Sequence, residues 1–129
     1  MIAVDTNIVV RLLVGDDPEQ AAAAAALFQS DSIWIAKTVI LETAWVLRSV
    51  YGFEESAIGD VFIKLLGLTN VDVEDEPSVA AALALTTHGI ELADAIHLKS
   101  RPPGATFVSF DQSLVRRARR ADVAEVSGA

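Results

Sequence analysis

Four short apolar runs, each separated from the next by one or two helical segments, constrain this 129-residue chain most. Met1-Ile2-Ala3-Val4, Ile33-Trp34-Ile35, Val71 to Val73 and Thr106 to Ser109 are the length of strands, not of helices. Ile8 to Leu13 reads as a short helix. Asp16-Asp17-Pro18 opens a second, with proline in its first turn, which continues through six alanines to about Ser30. Thr38 to Tyr51 and Glu54 to Leu66 read as helices stopped by Gly52 and Gly67. Glu76-Pro77 starts a helix to about His88, and Glu91 starts another to about Ser100, ended by Arg101-Pro102-Pro103-Gly104. Asp111 caps a helix to about Arg120, and Val123 to Val126 reads as a last short strand. Strands spaced in this way pair in parallel through crossovers. The expectation is an α/β class with helices outnumbering strands, as one domain over residues 1–129 without linker or repeat.

Composition narrows the chemistry. A hydrophobic fraction of 52% and a mean hydropathy of +0.40 favour a compact fold, with apolar surface to spare for a partner. Cysteine is absent, which removes disulfides, thiolate zinc sites and thiol nucleophiles. The opening residues lack the charged and long apolar regions of a signal peptide, and no apolar run reaches the ~18 residues of a membrane span. A soluble cytoplasmic protein with no membrane partner is expected. The net charge of -8 sits badly with a protein that grips nucleic acid by charge alone. Either the acids serve solubility, or several of them gather round a divalent metal that inverts the local field.

Position bears on that choice. Asp5 ends the first strand and Asp111 follows the strand Thr106–Ser109, and ligands in open α/β sheets bind beyond the carboxyl ends of strands. If those two strands are parallel neighbours, both carboxylates enter one crevice. Each also stands where an N-cap belongs, and capping alone explains an isolated Asp there. Glu42 stands among Thr38, Val39, Trp45 and Val46, one helical turn away on either side. Such an acid either finds a solvent window or, if buried, requires a charge partner or metal. Asp94 lies between Ala93 and Ala95, with Glu91 and His97 on its helical face. That stripe is either a solvated surface or the wall of a crevice. One site shared by Asp5, Glu42, Asp94 and Asp111 explains all four. Carboxylates so gathered repel unless a cation intervenes, and their hard oxygens select Mg²⁺ or Mn²⁺ over zinc.

Val4-Asp5-Thr6-Asn7, Leu41-Glu42, Leu92-Ala93-Asp94-Ala95-Ile96-His97-Leu98 and Val108-Ser109-Phe110-Asp111 occur in the order and spacing of a known family. In them the chain resembles PIN-domain nucleases, of the VapC type found in bacterial toxin–antitoxin pairs. The resemblance covers essentially the whole chain. It implies a PIN-like fold, with a small parallel sheet of four to five strands flanked by about seven α-helices. It further implies a Mg²⁺- or Mn²⁺-dependent endoribonuclease that forms a homodimer and is inhibited by a cognate VapB-type antitoxin. Carried over by position, Asp5, Glu42, Asp94 and Asp111 are the acidic catalytic residues, with Asp5 and Asp94 the most direct metal ligands. Thr6, Asn7 and Ser109 correspond to supporting polar residues. Asn7 serves equally well as a helix cap.

Weaker signals surround this set. His97 reads as a surface or supporting imidazole, and His88 as a cation suited to a helix end. Arg116, Arg117, Arg119 and Arg120 form a dense basic cluster, which is either a solvated helix end or a phosphate contact. The apolar residues Val46, Leu47, Val50, Tyr51, Ile58, Val61, Phe62 and Leu65 exceed one buried face, so core and partner groove both remain open. Two other classes compete. An aspartyl phosphatase wants a second Asp where Asn7 stands, and a receiver wants a late Lys that the last strand lacks. A catalytically weak PIN-fold module that binds RNA or protein is the remaining alternative.

Overall fold

A computed structural model describes all 129 residues. The chain is α/β, with seven α-helices and five three-residue strands in two parallel sheets. By its contacts it divides into two compact units, residues 1–76 and 77–129.

The first unit holds β1 (Ile2–Val4), α1 (Thr6–Val14), α2 (Pro18–Ser30), β2 (Ile33–Ile35), α3 (Lys37–Ser49), α4 (Glu55–Leu66) and β3 (Val71–Val73). Its sheet runs β1-β2-β3, and the register aligns Ile2, Ile33 and Val71 and then Val4, Ile35 and Val73. Side chains alternate across a strand. These residues therefore share one face, and all but the half-buried Ile2 are buried. The opposite face carries exposed Ala3 and Asp72 beside half-buried Trp34. Ile40, Leu47, Ile58 and Phe62 are fully enclosed. Of the apolar surplus on α3 and α4, Leu47, Ile58, Phe62 and Leu65 are thus core, whereas Val46, Val50, Tyr51 and Val61 stay partly or fully exposed.

Local chemistry sets the helix ends. Asp17 caps α2 by accepting from the Gln20 amide at 3.1 Å, with Pro18 at the first position. Gly15 ends α1 at φ 71°, a left-handed conformation that glycine adopts without a Cβ clash. Helix α3 has Ala36 at its cap, which offers no side-chain bond. The Glu74 carboxylate, just past β3, accepts from the Lys37 amide at 2.9 Å instead.

The second unit holds α5 (Glu76–Leu85, its first residue lying in the first unit), a 3₁₀ turn (Thr86–His88), α6 (Leu92–Ser100), β4 (Phe107–Ser109), α7 (Gln112–Arg120) and β5 (Val126–Gly128). Strands β4 and β5 pair in parallel, Phe107 opposite Val126. Arg101 braces this pair by donating to the carbonyls of Ala105, Ala124 and Glu125.

The α/β class, the seven helices and the parallel pairing of five strands are as expected, with the strands divided between sheets of three and two. Apolar periodicity marks which segments are strands, not which strands pair. Helix α5 stops at Leu85 rather than His88, because the hydroxyls of Thr86 and Thr87 donate to the carbonyls of Leu83 and Ala84. The last strand begins at Val126, not Val123. The Val123 amide is spent on the Ala118 carbonyl, closing α7 through Asp122 at φ 59°.

The hydroxyl of Thr43 on α3 is buried without a hydrogen-bond partner. Such a group costs about 1–3 kcal/mol. Thr43→Val is expected to raise the unfolding free energy by about 1 kcal/mol, as measured by urea denaturation. A loss of that size would contradict it.

Candidate active site

In the first unit, Asp5 directly follows β1 and is the N-cap of α1. Its Oδ1 accepts from the Ile8 amide at 3.1 Å, while Oδ2 has no partner. The cap thus fixes the carboxylate at the end of the strand and leaves one oxygen for other work. Asn7 does not cap the helix, since it lies inside α1 and Asp5 takes that role.

Asp5 opens onto a cleft of about 470 Å³ walled by α1 and α3. Thr6, Asn7, Val10 and Arg11 line it from α1. Val39, Glu42 and Val46 line it from α3, and Val50 and Tyr51 follow that helix. The structure therefore brings Asp5, Glu42, Thr6 and Asn7 to one cavity. Glu42 is exposed and makes no hydrogen bond or ion pair, so of the two readings of this acid the solvent window holds. Its carboxylate carries no burial cost that demands a counter-ion.

In the second unit, Asp94 of α6 and Asp111 line a pocket of about 70 Å³ with Glu91 and Arg117. Asp111 repeats the arrangement of Asp5. It is the N-cap of α7, and its Oδ1 accepts from the Leu114 amide at 3.1 Å. Its own amide donates to the Ser109 hydroxyl at 2.9 Å, so Ser109 orients the turn that carries the acid. In the hydrogen-bonding pattern β1 pairs with β2, and β4 pairs with β5. His97 is exposed and is not part of the pocket lining.

The arginine cluster divides by task. Arg119 donates through Nε and Nη2 to the Val126 carbonyl, at 3.2 and 3.1 Å, and so ties α7 to β5. Arg117 donates through Nη1 to the Gly89 carbonyl at 2.8 Å, at the edge of the pocket holding Asp94 and Asp111. Arg116 and Arg120 are exposed and unbonded.

The donor set in both cavities is oxygen-based, carboxylates with an amide and hydroxyls, and it contains no thiolate. That chemistry suits Mg²⁺ or Mn²⁺, which bind through one or two carboxylates, retained waters and substrate phosphates. Within each unit no three Asp, Glu or His side chains converge closely enough to enclose an ion by themselves.

Residue-by-residue reading of the sequence missed a bonded group on the same cleft. Arg11 donates through Nε to Gln20 Oε1 at 2.7 Å, and through Nη1 to Asp16 Oδ1 at 2.9 Å and the Tyr51 hydroxyl at 3.3 Å. Tyr51 in turn donates to Asp16 Oδ2 at 2.8 Å. One signal was available, because Arg11 stands four residues after Asn7 and so shares its helical face. The Tyr51 hydrogen bond is the largest influence holding the Asp16 carboxyl below its ordinary value, and Arg11 adds to it against the opposing effect of desolvation. The same partners raise the Arg11 guanidinium, Tyr51 first.

A family model described as the PIN domain matches residues 2–120, across both units. No curated protein and no solved structure matches the chain.

The carboxyl shift has a signed consequence. A carboxylate whose folded pKa lies below its unfolded one adds stability above the unfolded value, and loses it as pH falls through the folded value. Tyr51→Phe removes the largest cause of the shift. It is expected to move the Asp16 titration upward and to start acid unfolding at a higher pH. Carboxyl NMR titration checks the first effect, and an unmoved Asp16 contradicts it.

Proposed function

This chain belongs to the PIN-domain family, and from that premise we propose that it is a Mg²⁺- or Mn²⁺-dependent endoribonuclease, the toxin of a VapBC-type pair. PIN domains are generally nucleases and typically use divalent metals. The carrying observation is the shared cleft of Asp5 and Glu42, in which Asp5 is oriented by a backbone amide and keeps one oxygen unengaged.

The proposed acidic residues are Asp5, Glu42, Asp94 and Asp111, with Asp5 and Asp94 the direct metal ligands. A bound Mg²⁺ or Mn²⁺ supplies Lewis-acid stabilisation of the charge that develops at a scissile phosphate, and activation of water. The chain's own residues do the positioning. The Ile8 and Leu114 amides hold the Asp5 and Asp111 carboxylates in place, so little reorganisation is needed when a cation arrives. Ser109 fixes the turn before Asp111. Thr6 and Asn7 give the cleft neutral hydrogen-bonding groups beside the acids. Glu42, being exposed, is free to accept from a water or a hydrated ion.

The motif resemblance further supports inhibition by a cognate VapB-type antitoxin, homodimerisation and a cytoplasmic site of action. No helix is long and apolar enough to cross a membrane. Exposed Trp45 and Ile63, which do not line the cleft, are apolar surface that a protein partner would cover.

Asp5→Asn is expected to lower Mn²⁺-supported RNA cleavage at least about 100-fold, since even outer-shell losses around a metal reach that size. EDTA is expected to abolish cleavage by the unaltered chain. Gel analysis of a labelled RNA checks both. Full activity of the variant, or in EDTA, overturns the metal-site proposal. Absence of cleavage by the unaltered chain with either metal leaves the binding-module alternative.

A further inference from the structure

We propose that Arg11 is a substrate-positioning residue, a guanidinium held in advance to receive a phosphate of single-stranded RNA in the α1–α3 cleft. This rests on the RNA-cleaving reading of that cleft.

A guanidinium is planar and carries five N–H donors. Gln20 takes the one on Nε, and Asp16 and Tyr51 take those on Nη1. Both N–H groups of Nη2 have no partner. Because the group is rigid, fixing Nε and Nη1 also fixes where Nη2 donates. Free arginine side chains pay conformational entropy when they grip a ligand. Here that cost is met within the folded chain by two helices and the turn between them, since Arg11 lies on α1, Asp16 after Gly15, and Gln20 on α2. Tyr51, beyond the end of α3, closes the group from the other wall.

The placement suits a nucleotide chain. Arg11 is one helical turn from Asn7 and lines the same cleft as Asp5 and Glu42. A phosphate bound at Arg11 is therefore displaced along the cleft from one at the acids. The cleft is also lined by the apolar side chains of Val10, Val39, Val46 and Val50, against which the face of a base can pack. A volume near 470 Å³ falls in the range of small-ligand sites, ~300–1,000 Å³. Arg11 is the only cation lining this cleft, in a chain whose net charge of -8 otherwise repels phosphate.

A purely structural brace would use the same three hydrogen bonds, so the test reads substrate directly. A fluorescent single-stranded oligoribonucleotide is titrated into the full chain in EDTA across a salt series, and its cleavage is measured separately with Mn²⁺. Arg11→Gln is expected to weaken binding about tenfold, the loss of roughly one charge-assisted contact. It is expected to reduce the slope of log affinity against log salt by about 0.7, one phosphate's worth. In cleavage, KM rises by a similar factor and kcat stays within about twofold. Arg11→Lys keeps the charge but loses the fork, so it is expected to keep the slope and recover only part of the affinity. Unchanged affinity and slope in a folded Arg11→Gln chain overturn the proposal, as does full affinity in Arg11→Lys or no RNA binding by the unaltered chain. Should Arg11→Gln fail to fold, Arg11→Lys decides alone. Arg11-dependent binding without any cleavage sinks the nuclease reading and leaves this one standing. Cleavage with Arg11-independent binding does the reverse.

Discussion

An aspartate that caps a helix within two residues of the end of a strand recurs in both halves of this chain. Asp5 and Asp111 each give one carboxylate oxygen to a backbone amide three residues on, at 3.1 Å in both cases. The bond fixes where the strand ends and where the helix begins. It also aims the acid, because a carboxylate anchored through Oδ1 presents Oδ2 in one direction. Replacing either acid by an apolar residue would cost about 1 kcal/mol through the cap alone, before any chemistry is considered. Capping and a catalytic role are therefore not rival explanations of these residues. The structural bond is what orients the group for a chemical one.

The acidity of the chain follows the same logic. A surface with net charge -8 gives an RNA no general electrostatic grip. On the proposed account, positive charge is concentrated where it is needed, by a divalent ion at the acids and by arginines beside them. Arg11 lines the cavity of Asp5 and Glu42, and Arg117 that of Asp94 and Asp111. Both are anchored by hydrogen bonds rather than left as free surface side chains.

Much of this was legible from residue patterns. Pro18 after Asp17, and Gly52 after Tyr51, marked helix boundaries because their backbone preferences act locally. The caps at Asp5 and Asp111 were legible for the same reason. What failed depended on distant partners. Strand pairing is a long-range outcome, and the three-residue strands gave no hint that Phe107 would face Val126 in a separate sheet. Glu42 was left open between a solvent window and burial, because its apolar sequence neighbours do not show that its own face of α3 opens to solvent. Arg11 and Tyr51 lie 40 positions apart, and no local rule joins them. Thr43 looked unremarkable in sequence and proved to be a buried hydroxyl without a partner.

The central claim is that Asp5 and Asp94 ligate a divalent metal. Mn²⁺ binding by calorimetry or electron paramagnetic resonance, on the unaltered chain and on Asp5→Asn and Asp94→Asn, tests it without reliance on any RNA. The account predicts stoichiometric Mn²⁺ binding that weakens at least about tenfold in each variant, the lower end of the losses seen when support for a metal is removed. Mn²⁺ affinity unchanged in either variant, with the fold intact, would contradict it.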